Sequence, residues 1–383
     1  MKLIAKTFHG LEEILANELN EIGALNIKKV NRAVEFEGDL EVMYKANLHL
    51  RTAIRILQPL FEFKAKNDQE LYDEVQKFDW STLMTNKQTL AIDPVVFSDI
   101  FTHSQFVALK MKDAIVDQFR DKTGIRPSVD VENPDIRLVI HMAKDKATVS
   151  LDSSGDSLHK RGYRVQGHKA PLNEVLAAGM VLLSGWNPKI PLVDPMCGSG
   201  TILMEAVMIA KKFAPGLNRK NFGFMTWNSF NKELWNKIVE EAKEKVEHPR
   251  LHIYGSDINM GALDIARESA LSFRFNRDIN FKVSAFEKLE LERPKGMIIT
   301  NPPYGERLMK DKDIKDFYRM IGNQLQDEFL GYDAWLLSSD TKALNNLGIE
   351  VSDKVKLFNG ALECGFYQYK INYGKLPKII KFR

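Results

Sequence analysis

Only two cysteines, Cys197 and Cys364, occur in 383 residues. That excludes a disulfide framework and a structural zinc quartet. His103 and His141 have no Cys or His at metal-ligand spacing, so both read as structural and no metal is expected. No apolar run reaches the ~18 residues that span a bilayer. The start, Met1 to Lys6, runs straight into a strand-like pattern without a signal peptide's apolar core. No membrane partner is expected, and a cytoplasmic location is. A dominant charge is missing too, since the net formal charge is +3. It is unevenly divided: residues 1–160 hold 21 Lys and Arg against 25 Asp and Glu, and the remainder holds 33 against 26. A modestly basic second half permits a polyanionic partner without demanding one.

What is present is the composition of a folded protein, 44% hydrophobic and 27% charged, at a length that predicts two or three domains. The first 60 residues read strand, helix, strand, helix, strand, with a helical stripe of Leu11, Ile14, Leu15 and Leu19 ending at Gly23. A second α+β unit runs from Phe61 to Gly155. It contains a long amphipathic helix around Lys112–Phe119 and a hairpin turning at Lys144-Asp145-Lys146. The polar stretch 152–157 then leads to Lys160-Arg161-Gly162-Tyr163-Arg164. These cations around an aromatic either grip a phosphate backbone and stack a base, or pin the linker by ion pairs.

From Pro171 the pattern alternates helix and strand, the mark of a doubly wound α/β domain with a mostly parallel sheet. Expected strands are 191–195, 251–257, 280–284, 296–301 and 333–338, closed by an antiparallel pair turning at Asn359-Gly360. A long insertion occupies 213–249. The strand ends carry the chemistry, because open α/β sheets place ligands there. After the first come Asp194, Pro195, Cys197, Gly198, Ser199, Gly200 and Thr201. The third glycine of a dinucleotide fingerprint is Leu203 here, and no Gly-Lys-Ser/Thr of a P-loop follows. Asp194 would repel a pyrophosphate and suits a cationic ligand, such as the amino-acid end of S-adenosylmethionine. Asp257 ends the second strand, followed by Ile258; it either takes ribose hydroxyls or caps a helix. Ala285 and Phe286 follow the third, where an adenine would lie.

The fourth strand delivers Thr300-Asn301-Pro302-Pro303-Tyr304-Gly305. Two prolines cannot continue a strand, and Pro302 holds Asn301 extended. The stiff corner is either a plain turn or a grip for a planar amino group. In the second case the Asn301 side chain and the Pro302 carbonyl accept the amine's hydrogens and the Tyr304 ring stacks on the base.

These segments resemble class I S-adenosylmethionine-dependent methyltransferases that act on exocyclic amines. Over the whole chain the sequence is similar to the THUMP-domain ribosomal RNA guanine-N2 methyltransferases, often labelled N6-adenine DNA methylases. The family-like stretches include Leu50-Arg51-Thr52-Ala53, Asp152-Ser153-Ser154-Gly155, Leu158 to Arg164, Ala170-Pro171-Leu172, Asp194 to Thr201 and Asn301 to Arg307. The resemblance implies a ferredoxin-like domain (1–60), a THUMP RNA-binding domain (61–155), a linker (156–170) and a Rossmann-like catalytic domain (171–383). It implies S-adenosylmethionine as methyl donor, S-adenosylhomocysteine as product, and RNA as partner. Cofactor contacts are expected from Pro171, Leu172, Asp194, Pro195, Cys197, Gly198, Ser199, Gly200, Thr201, Asp257, Ile258, Ala285, Phe286 and Asn301. Target-base contacts are expected from Asn301, Pro302, Pro303 and Tyr304, and RNA contacts from Lys160, Arg161, Tyr163, Arg164 and Arg307. Relatives often carry an acidic residue where Ala285 stands, so adenine here must rely on main chain and on Phe286. Adenine N6 in DNA or RNA, a protein glutamine amide, and a non-catalytic RNA-binding assembly factor are the alternatives.

Overall fold

The structure, a computed structural model, describes residues 1–164, 172–290, 295–303 and 311–372. In chain order its elements are β1 (Lys2–Lys6), α1 (Glu12–Glu21), β2 (Leu25–Val30), β3 (Ala33–Glu37), α2 (Leu40–His49), β4 (Arg55–Lys64) and α3 (Asp68–Gln76). Then follow β5 (Leu90–Phe97), α4 (Ser104–Thr123), β6 (Ile136–Ala143), β7 (Lys146–Asp152), α5 (Glu174–Leu183), β8 (Leu192–Asp194), α6 (Thr201–Ala210) and α7 (Lys232–Glu244). The last are β9 (Ile253–Asp257), α8 (Met260–Ser272), β10 (Ile279–Val283), β11 (Met297–Thr300), α9 (Asp311–Glu328), β12 (Asp333–Ser338), α10 (Thr341–Leu344), β13 (Asp353–Asn359) and β14 (Leu362–Lys370).

One compact unit comprises Met1–Thr7, Ala16–Lys160 and Gly216–Glu241. Its seven strands form a single sheet in the order β2-β3-β1-β4-β7-β6-β5. That sheet runs across residue 60, because β4 pairs with β1 through Arg55, Ile56 and Leu57 and with β7 as far as Lys64. Pro59 sits inside β4 next to a register shift, which absorbs its missing amide. β6 and β7 form the expected hairpin, with Lys144 at φ 55 in the turn. The insertion contributes Gly216–Glu241 to this unit, and its aromatics give the reason. Phe224, Phe230 and Trp235 surround the buried Tyr44 ring, with Phe224 at 4.5 Å between centroids. The Tyr44 hydroxyl accepts from the Asn231 amide at 2.9 Å. Arg219 donates to the carbonyls of Ser154, Asp156, Ser157 and Lys160.

The second unit comprises the described residues of Phe8–Leu15, Arg161–Pro215 and Ala242–Arg383. Its sheet has the order β10-β9-β8-β11-β12-β14-β13. The strands from β10 to β12 are parallel, while β14 runs antiparallel to β12 and β13 to β14. This is the expected doubly wound sheet with an antiparallel terminal pair. α5 and α6 are apolar nearly all round and buried, as covering helices of such a sheet must be. A core of Phe286, Ile298, Tyr318, Phe329 and Leu336 packs on one face. The chain steps outward from β8 to β9 and β10, then returns to add β11 on the other side of β8. The switch point therefore lies between β8 and β11, and the carboxyl ends of these two strands are Asp194 and Thr300.

Candidate functional site

At the switch point Asp194 is 1% exposed. Its Oδ1 accepts from the Thr300 hydroxyl at 2.8 Å and from the Met196 amide at 3.3 Å. Burial pushes its carboxyl up to about 7, and nearby Asp257 adds to the rise; the bonds from Thr300 and Met196 oppose it. The turn that follows is pinned to β9, since the Cys197 amide donates to the Ser256 carbonyl and the Ser256 hydroxyl to the Pro195 carbonyl. Gly198 (φ 51) and Gly200 (φ 76) take conformations that side chains avoid. They differ in surroundings. A Cβ on Gly200 would lie 3.1 Å from the Ala266 methyl, whereas one on Gly198 would meet nothing within 4 Å. Gly198 thus exposes main chain to open space, and Ser199 and Thr201 are buried behind it. Cys197 is buried as well, and burial raises its thiol well above its ordinary value.

Asp257 ends β9 and reaches back to the turn: Oδ2 accepts from the Gly198 amide at 2.9 Å and Oδ1 from the Asn259 amide at 2.8 Å. The cap of α8 is Asn259, whose side chain accepts from the Ala262 amide. Asp257 is therefore not the helix cap. Ile258 beside it is 74% exposed and presents a bare apolar side chain. The expectation for Phe286 needs correction. Its ring is 4% exposed and packs against Phe329 at 5.7 Å, so it belongs to the core and offers no free face to an adenine. Only a hydrophobic residue after a strand was legible in the sequence; its inward direction is set by α9. Ala285 precedes a short 3-10 turn and gives its carbonyl to the Lys288 amide and the Ser284 hydroxyl.

Asn301 follows β11 directly. Its Oδ1 is buried and has no hydrogen-bond partner among the described residues. Such an orphan acceptor is costly, and it lies one residue from the Thr300–Asp194 bond. Pro302 is buried and Pro303 half-buried. Tyr304, Pro171 and Arg307 lie outside the described residues.

Within the basic cluster Arg161 and Tyr163 take the inward alternative, which corrects their assignment to RNA. Arg161 is 1% exposed, with its guanidinium 3.5 Å from a carboxylate oxygen of Glu205, itself fully buried. Tyr163 is 2% exposed and donates to Glu205 at 3.0 Å. Arg164 pairs with Glu174 at 2.9 Å and donates to the Leu172 carbonyl and the Thr201 hydroxyl. These side chains are held by the elements around the start of α6. Lys160 remains at the surface, paired with Asp156. Sequence reading missed both acids, since Glu174 and Glu205 stand in apolar helices where a lone carboxylate signals a buried cationic partner. It also missed Thr300, whose role depends on β11 lying beside β8.

Among the described residues no helix is long and apolar enough to cross a membrane, and no group of three His, Cys, Asp or Glu could hold a metal. Residues 161–368 match the family described as RMKL-like, methyltransferase domain. Residues 65–152 match the THUMP domain and residues 2–57 the RlmL ferredoxin-like domain. The ribosomal RNA large subunit methyltransferase K/L of Syntrophotalea carbinolica is 39% identical, over 97% of this chain and 54% of its own length. The chain thus spans about half the length of that curated relative. Among solved structures, SMU.472, a methyltransferase candidate complexed with S-adenosylhomocysteine, superposes with a TM-score of 0.87 at 32% identity, covering 96% of this chain and 97% of that one. A methylase candidate from Clostridium difficile 630 does so at 0.87 and 35%, with the same coverage. With a doubly wound sheet, a glycine turn at its switch point and an Asn-Pro-Pro corner beside it, the chain belongs to the RMKL-like methyltransferase domain family, preceded by RlmL ferredoxin-like and THUMP domains.

Proposed function

We propose that this chain transfers a methyl group from S-adenosylmethionine to an exocyclic base amine of RNA, with guanine N2 of large-subunit ribosomal RNA as the target. The observation that carries the reading is the buried Oδ1 of Asn301 at the switch point, which has no hydrogen-bond partner among the described residues. An acceptor buried there with no partner among the described residues suits a donor that arrives with a ligand. The cofactor fits the residues present. Asp194 suits its cationic amino-acid end, Gly198 opens the main chain to it, Asp257 suits ribose hydroxyls and Ile258 an adenine face. When bound, S-adenosylmethionine supplies an electrophilic methyl group.

The chain's own work is on the acceptor. A guanine amine is a weak nucleophile because its lone pair is delocalised into the ring. Asn301 Oδ1 and the Pro302 carbonyl accept its hydrogens, localise that lone pair and fix its direction. Losing one preorganised group of this kind costs about 2.7–4 kcal/mol of transition-state stabilisation. The THUMP match and the ribosomal RNA methyltransferase relative support RNA as the substrate class. A cytoplasmic location, beside the ribosomal RNA, is part of the same reading.

Nucleoside analysis of ribosomal RNA from cells lacking the gene tests the reading. One N2-methylguanosine should vanish and return when purified protein and S-adenosylmethionine are added. Loss of N6-methyladenosine instead would transfer the chemistry to adenine. Unchanged RNA with no methyl transfer in vitro would leave an assembly factor.

A further inference from the structure

We infer that Thr300 is a positioning residue for the cofactor: its hydroxyl holds the Asp194 carboxylate in place and favours the ionised form that receives a cationic ligand group. The inference rests on the function proposed above. Thr300 closes the otherwise apolar strand Met297-Ile298-Ile299 and is 1% exposed, like Asp194. Packing alone does not ask for a hydroxyl there, since valine has the same branched shape. The hydroxyl instead donates to Asp194 Oδ1 at 2.8 Å, across the junction of β11 and β8. Among the described residues the charged group facing Asp194 is Asp257 at the end of β9, which opposes a second negative charge, while the nearby Cys197 thiol is kept protonated by burial. Burial opposes it too. Among the described residues the Thr300 hydroxyl and the Met196 amide favour the ionised carboxylate, and the Thr300 contact is the shorter. The bond also ties the strand bearing Asn301 to the strand bearing the glycine turn. Removing it should loosen the cofactor acid without touching Asn301.

The experiment is calorimetric titration of the full chain with S-adenosylhomocysteine between pH 5.5 and 9, for wild type, Thr300→Val, Thr300→Ser and Asp194→Asn. Wild-type affinity should rise with pH through a midpoint near 7 as Asp194 ionises. In Thr300→Val that midpoint should move up by about one pH unit, the scale of a lost hydrogen bond to a charged group. Affinity at pH 7 then falls about fivefold and converges on wild type by pH 9. Thr300→Ser should restore the wild-type curve, and Asp194→Asn should bind weakly with no midpoint. A Thr300→Val curve that superimposes on wild type, or a uniform loss at every pH, overturns the inference while leaving the methyltransferase reading intact. If Thr300→Val does not fold, a serine curve displaced from wild type or a midpoint surviving in Asp194→Asn overturns it instead. Failure of wild type to bind S-adenosylhomocysteine would remove the functional reading, and this inference with it.

Discussion

Replacing Asn301 with alanine should separate catalysis from stability in a direction opposite to most mutations. The oxygen removed is buried and has no partner among the described residues. An unsatisfied buried polar atom costs roughly 1–3 kcal/mol, while the packing lost with a small amide is under about 1 kcal/mol. The balance favours the variant by up to about 2 kcal/mol. In a unit of this size that is a rise in melting temperature of roughly 2–4 °C per kcal/mol. Activity should go the other way, with kcat down by about 10²–10³-fold. Affinity for S-adenosylhomocysteine should stay within about threefold, because Asp194 and Asp257, the acids proposed to hold the cofactor, are untouched. Scanning fluorimetry, calorimetric titration and a tritiated-methyl transfer assay on a guanine-containing RNA read the three quantities. A variant that melts several degrees lower, or that keeps its kcat, refutes the reasoning, since Asn301 would then be an ordinary structural residue or a bystander.

Other expectations follow from the same geometry. Asp194 and Glu174 are both raised to about 7 by burial, from ordinary values of 3.8 and 4.5. The folded state therefore binds more protons than the unfolded chain between about pH 4 and 7, so stability from these groups is full below that window and lost as pH rises through 7. Melting temperature measured from pH 5 to 8 should fall, and the slope should shrink in Asp194→Asn; an unchanged slope contradicts the burial argument. Arg161→Ala takes the cation from beside the buried Glu205 carboxylate and should cost about 3–5 kcal/mol in urea unfolding, whereas Lys160→Ala should cost almost nothing. RNA affinity of the folded Arg161→Ala protein should match wild type; a selective loss of RNA binding would return that arginine to the RNA surface. Tyr44→Ala removes the ring at the centre of the Phe224, Phe230 and Trp235 cluster and should destabilise the first unit by about 3–5 kcal/mol. Proteolysis should then cut first within 216–241, and an unaltered cleavage pattern would show that the insertion does not depend on Tyr44.

Local sequence was enough for whatever depends on local chemistry. The two glycines and the two prolines announced turns because backbone conformation is decided within a residue or two. The alternation of apolar strands and helices from Pro171 onward gave the doubly wound sheet, because each element must bury a face of fixed period. Direction and partnership were decided only in three dimensions. Arg161, Tyr163 and Arg164 read as readily outward as inward, and the choice fell inward because Glu174 and Glu205 wait in two buried helices. Phe286 followed a strand end as an adenine platform would, yet the packing of Phe329 claimed its ring. The insertion left the unit that surrounds it in sequence because Tyr44 and its aromatic neighbours gave Gly216–Glu241 a better burial. Thr300 looked like the last residue of an apolar strand until the return of β11 to the side of β8 set its hydroxyl on Asp194. Contacts between residues tens of positions apart, as in Phe286 with Phe329, or more than a hundred, as in Thr300 with Asp194, leave no local pattern to read.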